Sequence, residues 1–305
     1  MNTVNEPTQN TIRATGKAQS KLERLLNAKT LALYLLLLGL GAAMLLPLLF
    51  VLATALKSDT NILEIPPRFW PSETHWDNFV TAFRKVNFGP LLLNSIALTG
   101  LNVIGSVISS SVIAYGLSRV RFVGRKVWFY IFIGSMMLPG IVGGIPLFKL
   151  FLALGMYGTW WPLILPAFLG NPFFIFLIRQ YYLSIPRSID EAAMIDGASH
   201  WQIFSKIMLS LTKPAWIACG IFAFQGSWND YLNGLIYLPL NPERWPLSLG
   251  LASLSGLGGI GTATTPWNIF MAANLMYMIP SLLVFFGAQN YFMQGVGALG
   301  ARTQR

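Results

Sequence analysis

Residues Ser188 to Phe204 read SIDEAAMIDGASHWQIF, a polar run inside an otherwise greasy chain. Ser188 and Glu191 have the S-x-x-E spacing of a capping box, which predicts a helix from Ile189. Asp190 and Glu191 then fall in its first turn, where the helix dipole favours negative charge. Gly197 suits the left-handed residue that ends such a helix. Ser199 and Gln202 form a second capping box, and Trp201, Phe204, Met208 and Leu211 recur at helical spacing until Pro214. The expectation is a short helix, a glycine turn and a longer amphipathic helix.

The rest of the chain sets the medium around this pair. Of its 305 residues, 54% are hydrophobic and only 10% charged, against about a quarter charged in soluble domains. A surface so short of charge does not mainly face water, so the chain reads as an all-α membrane protein. The net charge of +10 does not indicate nucleic acid, because the basic residues sit in short runs beside hydrophobic spans. The single cysteine, Cys219, can form no internal disulfide, and His75 and His200 lie far apart. No metal site is expected.

Six apolar runs are long enough for a crossing of about 20 residues: 30–56, 91–117, 127–148, 160–178, 215–238 and 269–294. The first run contains, near its end, Ala53-Thr54-Ala55, which resembles a signal-peptidase site. It is about twice the usual length of a signal hydrophobic region, so an uncleaved anchor is expected. Pro139, Gly140, Gly143, Gly144 and Pro146 interrupt the third run, and Pro162, Pro166, Gly170 and Pro172 the fourth. Such breaks suit a water-filled cavity, and equally the close packing of small residues. The division is a tail 1–29, expected to be mostly disordered, a membrane domain 30–296 with a connecting loop 179–214, and a second tail 297–305.

Basic residues orient the spans. Fifteen of the 21 lie in the tail, the 118–126 loop, the 179–214 loop and the C-terminus, and the opposite side holds Lys57, Arg68, Arg84, Lys85, Lys149 and Arg244. The richer side is expected to be cytoplasmic, with both termini inside. That makes the opening stretch a cytoplasmic loop. A helix merely resting on lipid would explain Trp201 but not an acidic preceding helix with Ala192 and Ala193. A DNA-binding helix-turn-helix lacks phosphate attraction, because its first helix is acidic.

The stretch EAAMIDGASHWQIFSKIMLSLTKPA resembles the EAA loop of binding-protein-dependent ABC importer permeases. IPPRFWP, WDNFVTAF, LLLNSIALTG, MMLPGIVGGIPLFKLFLALGMYGTW, GSWNDYL and PWNIFMAANLMYMIPSLLVFFGAQNYFMQG are similar to segments of the maltose-type, MalG-like carbohydrate group. The resemblance runs across nearly all of residues 30–300. It implies a type I ABC importer permease fold in the bacterial inner membrane, with a cytoplasmic coupling helix. Glu191, Ala192, Ala193, Asp196, Gly197 and Ala198 would then dock on a dimeric ABC ATPase that binds Mg-ATP. It further implies a second, MalF-like permease subunit and an extracytoplasmic sugar-binding protein. One residue departs from the pattern: Ser210 stands where the family has proline, so the second helix is expected to run through it rather than bend.

Other motifs carry less. Gly256 to Gly261 fit G-x-G-x-x-G, but no strand–turn–helix surrounds them and no acid follows Glu243. A flexible external loop near the binding protein is the expectation there. No G-x-x-x-x-G-K-[ST] occurs, so the chain has no P-loop of its own. Gln225, Trp228, Asn229, Asp230, Tyr231 and Asn233 put amides, a carboxylate and aromatics into a span. Polar residues there are expensive unless they face protein or a watery path, and amides and rings suit sugars. Interfacial anchoring of Trp228 and Tyr231 would account for the same residues. Which permease subunit holds the sugar stays open. A non-sugar importer is the nearest rival, and an ion-coupled secondary transporter would need more intramembrane charge than Asp230 alone.

Overall fold

The computed structural model describes residues 28–62, 64–66, 68–255 and 266–300. The tail before residue 28, the Gly256–Gly261 loop, and Arg302 and Arg305 lie outside them. Among the described residues the regular structure is helical throughout. Four stretches are long and apolar enough to cross a membrane: Thr30–Ala55, Phe88–Ser118, Trp161–Ser184 and Trp267–Gln289. A bent pair, His200–Leu211 with Lys213–Trp228, makes a fifth if counted as one span.

The first helix, α1 (Ala28–Ala55), exposes Leu36, Leu38 and Met44 along its length, a surface suited to hydrocarbon. The amphipathic α2 (Asp77–Lys85) leads into α3 (Phe88–Ser118), which has no proline beyond its first turn and runs unbroken for 31 residues. The expected single span over 127–148 is instead two helices, α4 (Arg125–Ser135) and α5 (Gly140–Ala153). Pro139 takes an extended ψ of 128° at the N-cap of α5, which a continuous helix does not allow.

After α5, Trp161–Ile164 passes into a 3-10 turn, Leu165–Leu169, and Gly170 at φ +91° redirects the chain. Asn171 then caps α6 (Pro172–Ser184), its side-chain Oδ1 accepting from Phe173 N and Phe174 N. The 179–214 connection contains α7 (Ser188–Ile195) and α8 (His200–Leu211). The expected span 215–238 arrives as α9 (Lys213–Trp228) and α10 (Leu232–Tyr237), separated at 229–231. A short α11 (Leu247–Leu254) precedes α12 (Trp267–Gly300), which extends past the expected boundary at 296.

The long helix α3 is the axis of the bundle, packed along α6, α9 and the 165–169 turn. Gly105 permits the last contact, because a Cβ there would sit 2.7 Å from the Phe168 ring. Two apolar cores form at opposite ends of α3. One gathers Phe88, Leu91, Phe151, Tyr237, Leu247, Leu249 and Ala272. The other gathers Tyr115, Ile175, Ile178, Tyr182, Phe204 and Met208, beneath the 179–214 connection. The space between the cores is where polar residues collect.

Candidate functional site

The connection at one end is built from local signals, with one difference from expectation. Gly197 has φ +80°, Ala198 N–H donates to Ala193 O at 2.9 Å, and Gly197 N–H donates to Met194 O at 3.0 Å. That is the paired bonding of a Schellman cap. Ser199 and Gln202 form the reciprocal capping box, Gln202 N to Ser199 Oγ at 3.3 Å and Ser199 N to Gln202 Oε1 at 2.8 Å. Ser199→Ala should cost this loop about 1 kcal/mol, read as faster amide exchange over 199–203 with uptake little changed.

The first capping box does not form. Glu191 N–H donates to Arg187 O at 3.0 Å, so the helix starts at Ser188 with Arg187 as N-cap and Ser188 inside the first turn. The register is set by Asp190, whose side chain is 7% exposed and whose Oδ2 lies 2.9 Å from Arg119 Nη1. Arg119, 3% exposed, also donates through Nη2 to the carbonyls of Tyr182 and Ile185. Burial raises the Asp190 carboxyl above its ordinary pKa, and the Arg119 charge opposes that shift.

With Asp190 turned inward, Glu191, Ala192, Met194, Ile195, Asp196 and Gly197 face outward, Ile195 being 87% exposed. Ala193 and Ala198 are half-buried against the nearby core, so of the three alanines only Ala192 lies on the outer face. In α8, a π turn over Ile203–Met208 shifts the expected stripe: Ile203, Phe204 and Met208 are buried, while Trp201 and Leu211 face out. The helix runs through Ser210, and the chain bends by 80° at Thr212 instead.

Between the two cores lies a chamber of about 220 Å³. Ser95, Thr99, Asn102 and Ser106 line it from one face of α3, with Asn171, Ser227 and Asp230 opposite and Phe174, Phe222 and Leu163 as apolar wall. Of the six residues expected to form a pathway, the structure brings only Asp230 here. Trp228 is 1% exposed, packed between Phe224 and Tyr277 with ring centroids at 5.5 and 5.4 Å. It is a core residue in this arrangement, not a lining one. Gln225 is tied to Asn229, whose Nδ2 donates to Gln225 Oε1 at 3.1 Å. Asn229 and Tyr231 border a separate hollow with Asn274 and Tyr277. Asn233 is exposed and bonds Asp230, Nδ2 to Oδ2 at 2.7 Å. The α3 lining escaped the sequence reading, although its 4-3-4 spacing of small polar residues on an apolar helix is a legible signal.

Known proteins are similar to this chain in sequence and in fold. Residues 106–297 match the family model described as "Binding-protein-dependent transport system inner membrane component". The chain is 32% identical to the probable ABC transporter permease protein YurM of Bacillus subtilis, covering 83% of this chain and 82% of that protein. It is 31% identical to the arabinooligosaccharides transport system permease protein AraQ of Halalkalibacterium halodurans, over 84% and 90%. It is 30% identical to the diacetylchitobiose uptake system permease protein NgcG of Streptomyces coelicolor, over 78% of each. Its fold is similar to a chain of a bacterial ABC transporter that imports the acidic polysaccharide alginate, with TM-score 0.72, 23% identity and coverage of 95% and 100%.

Proposed function

The chain belongs to the family of binding-protein-dependent transport system inner membrane components, and from that premise we propose that it is one permease half of an ATP-driven carbohydrate importer. It crosses the membrane six times, through α1, α3, the α4–α5 pair, Trp161–Ser184, the α9–α10 pair and α12. The weight of basic residues puts both termini and the 179–214 connection in the cytoplasm. A related second permease completes the pathway, and an extracytoplasmic binding protein delivers the sugar. A dimeric ATPase docks on Glu191, Ala192, Asp196 and Gly197, and it alone binds Mg-ATP. Closure of that dimer drives alternating access.

The observation that carries this reading is the polar chamber inside an apolar bundle. Polar side chains in a membrane domain are costly unless they face water, protein or cargo. Hydroxyls and amides from Ser95, Thr99, Asn102, Ser106 and Asn171 present donors and acceptors with an aromatic wall beside them, a match to sugar hydroxyls and ring faces. The oligosaccharide permeases among its relatives support the same substrate class.

The test is uptake by the assembled complex in proteoliposomes. Uptake that needs ATP, survives an uncoupler and follows the sugar carried by the binding protein is expected. Uptake that collapses with the proton gradient alone overturns the proposal. Asn102→Leu should reduce uptake roughly tenfold by removing a polar contact from the path, with binding-protein affinity for sugar unchanged. Uptake at the wild-type rate would remove the chamber from the pathway.

A further inference from the structure

The buried pair Arg119–Asp190 joins two elements that the proposed function treats separately. Asp190 belongs to α7, the docking element, and Arg119 is the C-cap of α3, the helix that lines the chamber. The same guanidinium holds the carbonyl of Ile185 at 2.8 Å and that of Tyr182, at the end of α6. Tyr115, one turn back on α3, packs on Phe204 of α8 at 5.3 Å and reaches His200 Nδ1 through its hydroxyl at 3.4 Å. One end of α3 is thus clamped to the docking element by charge and by rings.

Two routes connect α7 to the chamber. The covalent one runs through the Gly197 turn, the π turn over Ile203–Met208 and the 80° bend at Thr212 before it enters α9. Each is a joint where displacement can be absorbed, as hinges and π turns are. The other runs from Asp190 through Arg119 into α3, which is continuous from Phe88 to Ser118. At about 1.5 Å per residue, Ser106 lies roughly 20 Å up that rod, with Asn102, Thr99 and Ser95 beyond it. A stiff helix carries a shift of its end to its middle, and three joints in series do not.

The pair is also poorly suited to be a mere staple. Arg119 Nε and Asp190 Oδ1 are buried without a hydrogen-bond partner among the described residues. Incompletely satisfied buried ion pairs add little net stability over apolar replacements, and their best-attested use is to fix geometry.

We infer that Asp190 and Arg119 are positioning residues that transmit motion of α7 into α3, making the ion pair, not the covalent link to α9, the main route from the docking surface to the chamber. This rests on the proposed docking role of α7. The test uses the complete importer in proteoliposomes, reading substrate moved per ATP split, co-purification of the ATPase and thermal melting. Asp190→Asn keeps shape but loses the charge. It should retain the ATPase and lower substrate per ATP roughly tenfold, within the range of ordinary coupling energies. Asp190→Glu keeps the charge and should restore most of the ratio. Ser199→Ala loosens the same loop without touching the pair and should leave the ratio near wild type.

Wild-type substrate per ATP in Asp190→Asn overturns the inference. So does a loss in Asp190→Asn that Ser199→Ala reproduces, or that Asp190→Glu does not relieve, because either would mark a merely structural role. If the wild-type complex assembles and imports without the ATPase touching α7, the docking reading itself has failed. That outcome is separable because it appears before any variant is made.

Discussion

Glu191→Lys and Gly197→Pro are each expected to leave the chain inserted in the membrane while cutting ATP-driven uptake roughly tenfold or more. Glu191 is on the outward face of α7, so a reversed charge there would act on the proposed ATPase partner and little on its own chain. Gly197 acts through the backbone. Its φ of +80° is closed to proline, which is fixed near −65°, and its N–H is bonded to Met194 O. Proline would therefore undo the Schellman turn that sets α7 against α8. Among the described residues, nothing beyond its own chain neighbours lies within 4 Å of a Cβ built at Gly197, so the effect would come from the turn and not from a clash. Full ATP-driven uptake in both variants would remove α7 from the coupling path.

The second large effect is on stability. Trp228→Ala should destabilise the bundle by about 3–5 kcal/mol, the usual cost of removing a buried tryptophan. Its ring is stacked by Phe224 and Tyr277, and its carbonyl accepts from Tyr277 Oη at 2.6 Å. Trp228→Phe should cost less, because it keeps an aromatic ring in the stack and loses only part of the indole's volume and an N–H that has no partner among the described residues. Melting of the purified permease in detergent distinguishes the two. Equal melting of Trp228→Ala and wild type, with altered sugar preference, would instead make Trp228 a lining residue.

What the sequence made legible divides along a physical line. Gly197 and the Ser199–Gln202 box were readable because each is a local backbone event, specified by residues within one turn. The long helices Thr30–Ala55, Phe88–Ser118 and Trp267–Gln289 were readable from hydropathy alone. The start of α7 was not, because a contact distant in sequence overrules the local one: Arg119 draws Asp190 inward and fixes the register a residue early. The break at 136–139 divides a run whose hydropathy is unbroken, and only Pro139 and Gly140 mark its place. The chamber lining was visible as Ser95, Thr99, Asn102 and Ser106, but small polar residues on an apolar helix read equally as close packing. Richer polarity drew attention to 225–233, where the structure turns Trp228 into core and ties Asn233 to Asp230.

The claim that α7 is where a partner ATPase takes hold can be tested by proximity. Cys219 is the chain's single cysteine and is fully buried, so a thiol introduced by Ala192→Cys can be labelled selectively. With a photoreactive maleimide at that position in the working importer, irradiation is predicted to yield an adduct of this chain with the ATPase subunit. Adducts confined to lipid or to the second permease, in a complex that still imports, would contradict it.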